Sequence, residues 1–295
     1  MGIKVVLTGE GSDEHFGGYT DFRPDAIQEP DLSWPPSRFS DVERDTAWRE
    51  TCENTGAIVF GDGILQVPKS TSRMANHTRT IRELAKIGGM PFAAWTDRYL
   101  SVGDPETLLA EAMDGRVRQM MATKWHPLHT SAYTWMKSFL VTFILRYCGD
   151  NIDMAHSVES RLPFLDHYLT EYANQLPPSL KMKFDPQTNS FREKYILREA
   201  VRPFVTEEVY NGRKKGYCGP TQYREGGPLH QTLQRLLTRE NLEQLGFVHV
   251  PSSQKHLDSA FRQGDRTAFR NSMLIAQFVV LSQRFGVKPA TPHSF

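Results

Sequence analysis

Apolar and polar positions divide the chain into one short strand signal and a longer series of helical ones. Residues 3–7 form an apolar run that stops at a loop containing Gly9 and Gly11, after which acidic groups open a helix. Residues 41–52, 73–86 and 105–121 are spaced as helices, in a stretch where Pro24, Pro30, Pro35 and Pro36 predict an irregular segment. Trp34, Trp48, Trp95 and Trp125 are expected to pack these pieces together. Residues 131–147 are apolar on most faces, the pattern of a buried helix. Further helices are predicted over 166–176, ended by Pro177 and Pro178, and over 191–201. Residues 229–245 and 267–285 follow as helices, closed by Gly246 and Gly286.

The strand–loop–helix at the start carries the chemistry. In α/β proteins ligands bind at the carboxyl ends of strands, where such a loop feeds a helix. Gly9 and Gly11 allow close backbone approach to an anion, and the N–H groups of the first turn are expected to hold it. Glu10 and Asp13 would repel a bare phosphate, so they call for a divalent cation or an ammonium species as well. The plain alternative is that Ser12 or Asp13 caps the helix while Glu10 faces water.

Composition narrows the classes. The 295 residues suffice for one large domain or two small ones. A hydrophobic content of 39% and a mean hydropathy of −0.48 fit a soluble globular protein. The net charge of +1 gives no global case for nucleic acid or an anionic membrane. Cys52, Cys148 and Cys218 form no CxxC pair, which predicts a reducing, cytoplasmic setting with each thiol as a small buried side chain. No apolar run approaches the roughly 20 residues of a membrane span, and no signal peptide is visible.

Three blocks resemble the asparagine synthases. Thr8-Gly-Glu-Gly-Ser-Asp-Glu14 with Phe16-Gly-Gly-Tyr19 is similar to their Ser-Gly-Glu-Gly-(Ser/Ala)-Asp-Glu…Gly-Gly-Tyr signature. Met154-Ala-His-Ser-Val-Glu-Ser-Arg-Leu-Pro-Phe-Leu-Asp166 resembles a second family segment. Glu193-Lys-Tyr-Ile-Leu-Arg-Glu-Ala200 and Arg213-Lys-Lys-Gly-Tyr217 resemble the Lys-x-x-Leu-Arg and Arg-x-Lys-Lys-Gly-Phe elements. The order of the blocks is the family's, and the likeness covers about residues 2–22 and 133–223.

The resemblance implies an α/β parent fold of the adenine-nucleotide α-hydrolase-like, PP-loop ATPase type. This chain would be a mostly helical part of it, with a remnant parallel strand at its start. Residues 1–22 would be the nucleotide-site strand–loop–helix, 23–127 an insertion packed as a helical extension, and 128–288 the helical C-terminal part of a partial synthetase domain. The implied reaction is ATP-dependent amidation of aspartate through a β-aspartyl-adenylate, with Mg²⁺ on the phosphates and ammonia, drawn from glutamine, as nucleophile.

By the same resemblance Asp13 holds the metal and Glu10 acts on the ammonia nucleophile. Thr8 and Gly9 contact the nucleotide, and Gly11 and Ser12 lie near the phosphates or the intermediate. Lys215 stabilises the pentacoordinate phosphorus and the departing pyrophosphate; without the resemblance, the run Arg213-Lys214-Lys215 reads as a solvated loop. Glu159 and Arg161 form either a structural ion pair or a device that orients Lys215 or the substrate, and Asp166 reads as structural. His156 reads as a hydrogen-bonded packing residue, and His126 and His129 lack the further ligands of a metal site.

The chain departs from the family pattern in three ways. It shows no glutaminase domain with an N-terminal cysteine, no Ser-Gly-Gly-x-Asp-Ser loop, and Asp150-Asn151 where the family commonly has Asp-Arg. These predict a truncated sequence, a degenerate paralogue or one half of a split enzyme whose partner is an N-terminal half. Two rival functions stand beside aspartate amidation. One is an amide ligase with another acceptor, and the other is a non-catalytic remnant acting as a binding module.

Overall fold

The structure is a computed structural model that describes residues 2–33, 39–54, 90–100, 108–109, 111–212, 220 and 222–292. The chain divides into two compact units, residues 1–85 with 104–216, and residues 86–103 with 217–295.

In the first unit the apolar run at the start forms β1 (Val5–Leu7). Its partner is β2 (Glu159–Arg161), paired in parallel with Val5 opposite Glu159 and Leu7 opposite Arg161. Thr8 N–H donating to Arg161 O at 3.0 Å carries the ladder up to the glycine loop. The second signature block thus supplies the strand beside the first. Side chains alternate across the pair: Ser160 is buried and donates to Asp153, whereas Val5 and Leu7 lie on an exposed outer face.

The loop leads into α1 (Ser12–Phe16), which is wedged among α5 (Pro127–Trp135), α7 (His167–Gln175) and α8 (Tyr195–Val201), while α2 (Arg23–Gln28) packs against α5. Phe16 packs with Ala173 and Leu176, and its ring meets Phe164 edge-on at 6.3 Å. Beneath it a second cluster joins Phe22, Leu128, Trp135, Leu140 and Met182, all nearly fully buried. Helix α3 (Asp41–Asn54) contributes Trp48 and Cys52 to a third cluster with Ile27.

Several expectations are corrected. The helix expected over 105–121 is interrupted: residues 108, 109 and 111 are helical, and α4 (Gly115–Thr123) starts anew where the Asp114 carboxylate accepts from Arg116 N–H. The expected buried helix over 131–147 is α5 followed by a π-helical run, Met136–Cys148. Its wider turns leave Val141, Phe143 and Tyr147 exposed, and Cys148 is an exposed thiol rather than a buried one. Phe191 is not helical but sits in β4 (Ser190–Arg192), antiparallel to β3 (Lys183–Asp185). The turn between them uses Asn189 at φ 46°, a left-handed conformation that asparagine tolerates. His156 Nδ1–H donates to Ile152 O at 2.8 Å, but the ring is exposed rather than packed. The helix expected over 73–86, Trp34 and Cys218 lie outside the described residues.

The second unit is helical. The single helix expected over 229–245 is two, α9 (Pro228–Leu236) and α10 (Arg239–Leu245), because Thr238 accepts from Asn241 N–H and starts a new helix. Gly246 closes α10 at φ 77° and Gly286 closes α12 (Arg266–Phe285) at φ 60°. Together with α11 (Val250–Arg262) these helices bury Leu233, Leu242, Ile275 and Val279 in one core. Trp95 belongs to this unit and donates to Gly246 O.

Candidate functional site

The site is built where β1 ends. Gly11, not Ser12 or Asp13, is the N-cap of α1, at φ 94°. A side chain at that angle is strained, and a Cβ there would overlap the Leu165 side chain and approach Phe164 O to 3.1 Å. Glycine is thus required both by the turn and by the neighbour. The loop closes on itself: Gly11 N–H donates to Glu14 Oε2 at 3.0 Å, and Ser12 donates to Gly9 O through both its N–H and its hydroxyl. The N–H groups of Gly11 and Ser12, expected to be available to an anion, are engaged within the loop.

Glu14 is the loop's inner post. It is buried, and Tyr19 Oη donates to Glu14 Oε1 at 2.7 Å. Burial raises the Glu14 carboxyl above its ordinary value, against the pull of these hydrogen bonds. Burial and the neighbouring Glu14 likewise raise the Tyr19 phenol, which stays a donor.

The outer side presents the predicted residues. Thr8 Oγ1 and Glu10 Oε2 are buried atoms with no hydrogen-bond partner. Glu10 lies beside Gly149 at the head of α6 (Asp150–Ala155), where an added Cβ would come within 3.9 Å of Glu10 Oε1. Above Gly9 the space is open, with nothing within 4 Å of an added Cβ.

Asp13 is paired. Lys194 Nζ lies 2.9 Å from Asp13 Oδ1 and donates to Ser12 Oγ at 2.9 Å. Both side chains are largely buried, 22% exposed for Lys194 and 16% for Asp13. Sequence reasoning misses Lys194, although it is the first residue of the Lys-x-x-Leu-Arg element. Its placement is specific. Arg23 Nε donates to Glu193 Oε1 at 2.6 Å and Arg198 Nε to Glu193 O at 2.9 Å, fixing the turn before α8. Lys194 then caps α8 in the left-handed region, at φ 52°.

The remaining candidates separate from this cluster. Glu159 and Arg161 form an ion pair of 2.8 Å on the exposed face of β2. Asp166 caps α7, accepting from Tyr168 N–H and Leu169 N–H. His126 and His129 engage the backbone carbonyls of Glu29 and Leu176 through Nε2. Lys215 lies outside the described residues.

Among the described residues, no group of three His, Cys, Asp or Glu side chains would hold a metal alone. Mg²⁺ does not need one, since it takes one or two carboxylates and completes its shell with phosphates and water. Asp13, with the orphaned Glu10 oxygen and the open space over Gly9 nearby, fits that requirement.

A strand ending in a glycine-bounded acidic loop, braced by a lysine, brings opposite charges together at one point of the first unit. The chain belongs to the asparagine synthase family, whose model matches residues 1–282. It is 52% identical over 292 residues to the amidase chyE of Penicillium rubens, covering 98% of this chain and 43% of that protein. It is 51% identical to the amidase chry2 of Gibberella zeae, covering 99% and 43% respectively. It is 24% identical over 271 residues to asparagine synthetase (glutamine-hydrolyzing) 1 of Bacillus subtilis, covering 84% and 35%. The chain thus spans less than half the length of these relatives. No solved structure matches it. No helix among the described residues is long and apolar enough to cross a membrane.

Proposed function

We propose that this chain supplies the synthetase centre of an ATP-dependent amide ligase with a parent fold of the PP-loop ATPase type. A carboxylate oxygen of the acceptor attacks the α-phosphorus of ATP, the bond to the pyrophosphate oxygen breaks, and an acyl-adenylate forms. Ammonia then attacks the acyl carbon, and AMP leaves. The observation that carries this reading is the Glu10 oxygen, buried beside the open loop with nothing to accept from.

A divalent cation bound at Asp13 would neutralise phosphate charge. The chain's own residues do the rest. Thr8 Oγ1 and the space over Gly9 receive the nucleotide, and Gly11 and Ser12 hold the loop's shape next to the phosphates. Glu10 accepts the proton that the attacking nitrogen must lose. Lys215, from the Arg-x-Lys element, meets the charge that develops on pyrophosphate. Glu159 and Arg161 stiffen β2 rather than orient the substrate.

Aspartate, with glutamine-derived ammonia, is the acceptor that family membership suggests. A second reading, amidation of a different carboxylic acid, is favoured by 52% identity to a protein named an amidase against 24% to a named asparagine synthetase. Calorimetric titration of the chain with ATP and Mg²⁺ tests the common core of both. Saturable binding is expected, weakened about tenfold or more by Asp13→Asn. A folded chain that binds no nucleotide would instead favour a non-catalytic module. Carboxylate-dependent pyrophosphate release, screened over aspartate and aromatic and aliphatic acids, then separates the two acceptor readings.

A further inference from the structure

We infer that Lys194 is an exchangeable counter-ion: its ammonium occupies the Asp13 carboxylate while the site is empty, and yields it to a divalent cation when nucleotide binds. The inference rests on the proposed nucleotide site and assigns a role there to a residue outside the predicted set.

Three observations carry it. First, the ammonium bridges two neighbouring groups of the loop, Asp13 Oδ1 and Ser12 Oγ, each at 2.9 Å. It thereby sits on the one loop carboxylate that the family resemblance assigns to metal. Second, the backbone is arranged to deliver it. Lys194 holds a left-handed conformation, at φ 52°, that a long side chain adopts only when its surroundings impose it. Those surroundings are the Arg23–Glu193 and Arg198–Glu193 contacts. Third, room is kept for the pair. A Cβ on Gly18 would overlap both Asp13 Oδ1 and Lys194 Cε.

A lysine suits this duty better than an arginine. Its ammonium is a compact charge on a flexible stem, so it can leave a carboxylate without rebuilding a fixed fork of hydrogen bonds. Once displaced, it remains tethered one side-chain length from the loop, where phosphate oxygens of a nucleotide would lie. The Asp13–Lys194 pair is thus neutral before nucleotide binds, and Asp13 gains a divalent cation only together with the anion it serves. A second cation beside an undisplaced Lys194 would be repelled, and an anion beside an unpaired Asp13 would be as well.

The test uses the whole chain and Mn²⁺ without nucleotide, read by paramagnetic broadening of the backbone amide signals of Ser12, Asp13 and Glu14. Lys194→Met is expected to need roughly fivefold less Mn²⁺ than the parent for half-broadening. Lys194→Met with Asp13→Asn should lose that gain. In a second arm, Lys194→Met should bind ATP–Mg²⁺ more weakly than the parent, since the released ammonium no longer meets the phosphates. Equal Mn²⁺ response in Lys194→Met and the parent, with both folded by circular dichroism, would overturn the exchange. So would a tighter Mn²⁺ response that survives Asp13→Asn, because the cation would then sit elsewhere. If Lys194→Met fails to fold, Gly18→Ala serves as the second variant: by prising Lys194 from Asp13 it should also sharpen the Mn²⁺ response, and no change there would overturn the inference. Failure of ATP to bind the parent, with the Mn²⁺ gain present, would count against the nucleotide reading and leave the lock on Asp13 standing.

Discussion

Gly11→Ala is expected to destabilise the first unit by roughly 3 kcal/mol, whereas Gly9→Ala, two residues away, should leave stability within about 0.5 kcal/mol. The two glycines look alike in sequence and differ in what surrounds them. At Gly11 the φ of 94° penalises any Cβ, and the neighbours are the Leu165 side chain and the backbone oxygen of Phe164. Leu165 cannot swing away freely, because it packs against the Phe22–Trp135 cluster. The loop would have to shift, and with it the Gly11 N–H bond to Glu14 that closes it. At Gly9 nothing lies within 4 Å of an added Cβ. A methyl group there costs the fold little, but it stands in the space assigned to the nucleotide. Urea unfolding of the two variants separates these roles. A Gly11→Ala chain as stable as the parent would mean that the left-handed cap is not needed. A Gly9→Ala chain that keeps full ATP affinity would mean the nucleotide lies elsewhere.

A smaller effect follows from the same crowding. Gly18→Ala should lower the melting temperature little, because the atoms it meets are the ends of two flexible side chains rather than backbone.

The local grammar of this chain was legible wherever it depends on neighbours in sequence. The strand at 5–7, the helix from Asp41, and the long last helix with Gly286 behind it follow from apolar spacing and capping residues. What escaped depends on distant partners or on single caps inside a periodic run. Thr238 interrupts an apolar pattern that continues across it, so one helix was expected where two exist. Phe191 fits a helical spacing but is held extended by its antiparallel partner Phe184. The parallel pairing of the first and second signature blocks could not be read from either block alone. The site shows the same division. Gly9, Gly11 and Asp13 stand out as a motif, and the structure places the two glycines in the loop and Asp13 in the first turn of α1. Lys194 did not stand out, because its role depends on a left-handed backbone and on a contact far along the chain.

Acidification from pH 7 to pH 4 is expected to remove several kcal/mol of stability, most of it through two histidines, one buried and one half-buried. His15, on α1, and His129, on α5, are pushed down to about 4 by burial, with the nearby Lys181 charge adding to the shift. In the unfolded chain both return to about 6.5. Between pH 6.5 and pH 4 the unfolded state therefore takes up protons that the folded state refuses, and stability falls as pH falls through that window. Each histidine contributes on the order of 3 kcal/mol over the full span. Glu14 works in the opposite sense. Its carboxyl is raised by burial, so the folded state gains a proton more readily than the unfolded one just above the ordinary carboxylate range, which offsets part of the loss. Lys181, lowered to about 8, adds stability only as pH rises from there towards 10.5 and does not enter the acid limb. Denaturant unfolding at half-unit steps of pH measures the slope. His15→Gln should flatten it by about half while preserving the hydrogen bond to Thr170. A variant with the parent's slope would show that His15 titrates normally in the fold, and that the wedge of α1 against α7 admits water. The helix that carries Asp13 would then be less rigidly seated than its buried face implies, and the geometry argued for Lys194 and Asp13 would lose its foundation.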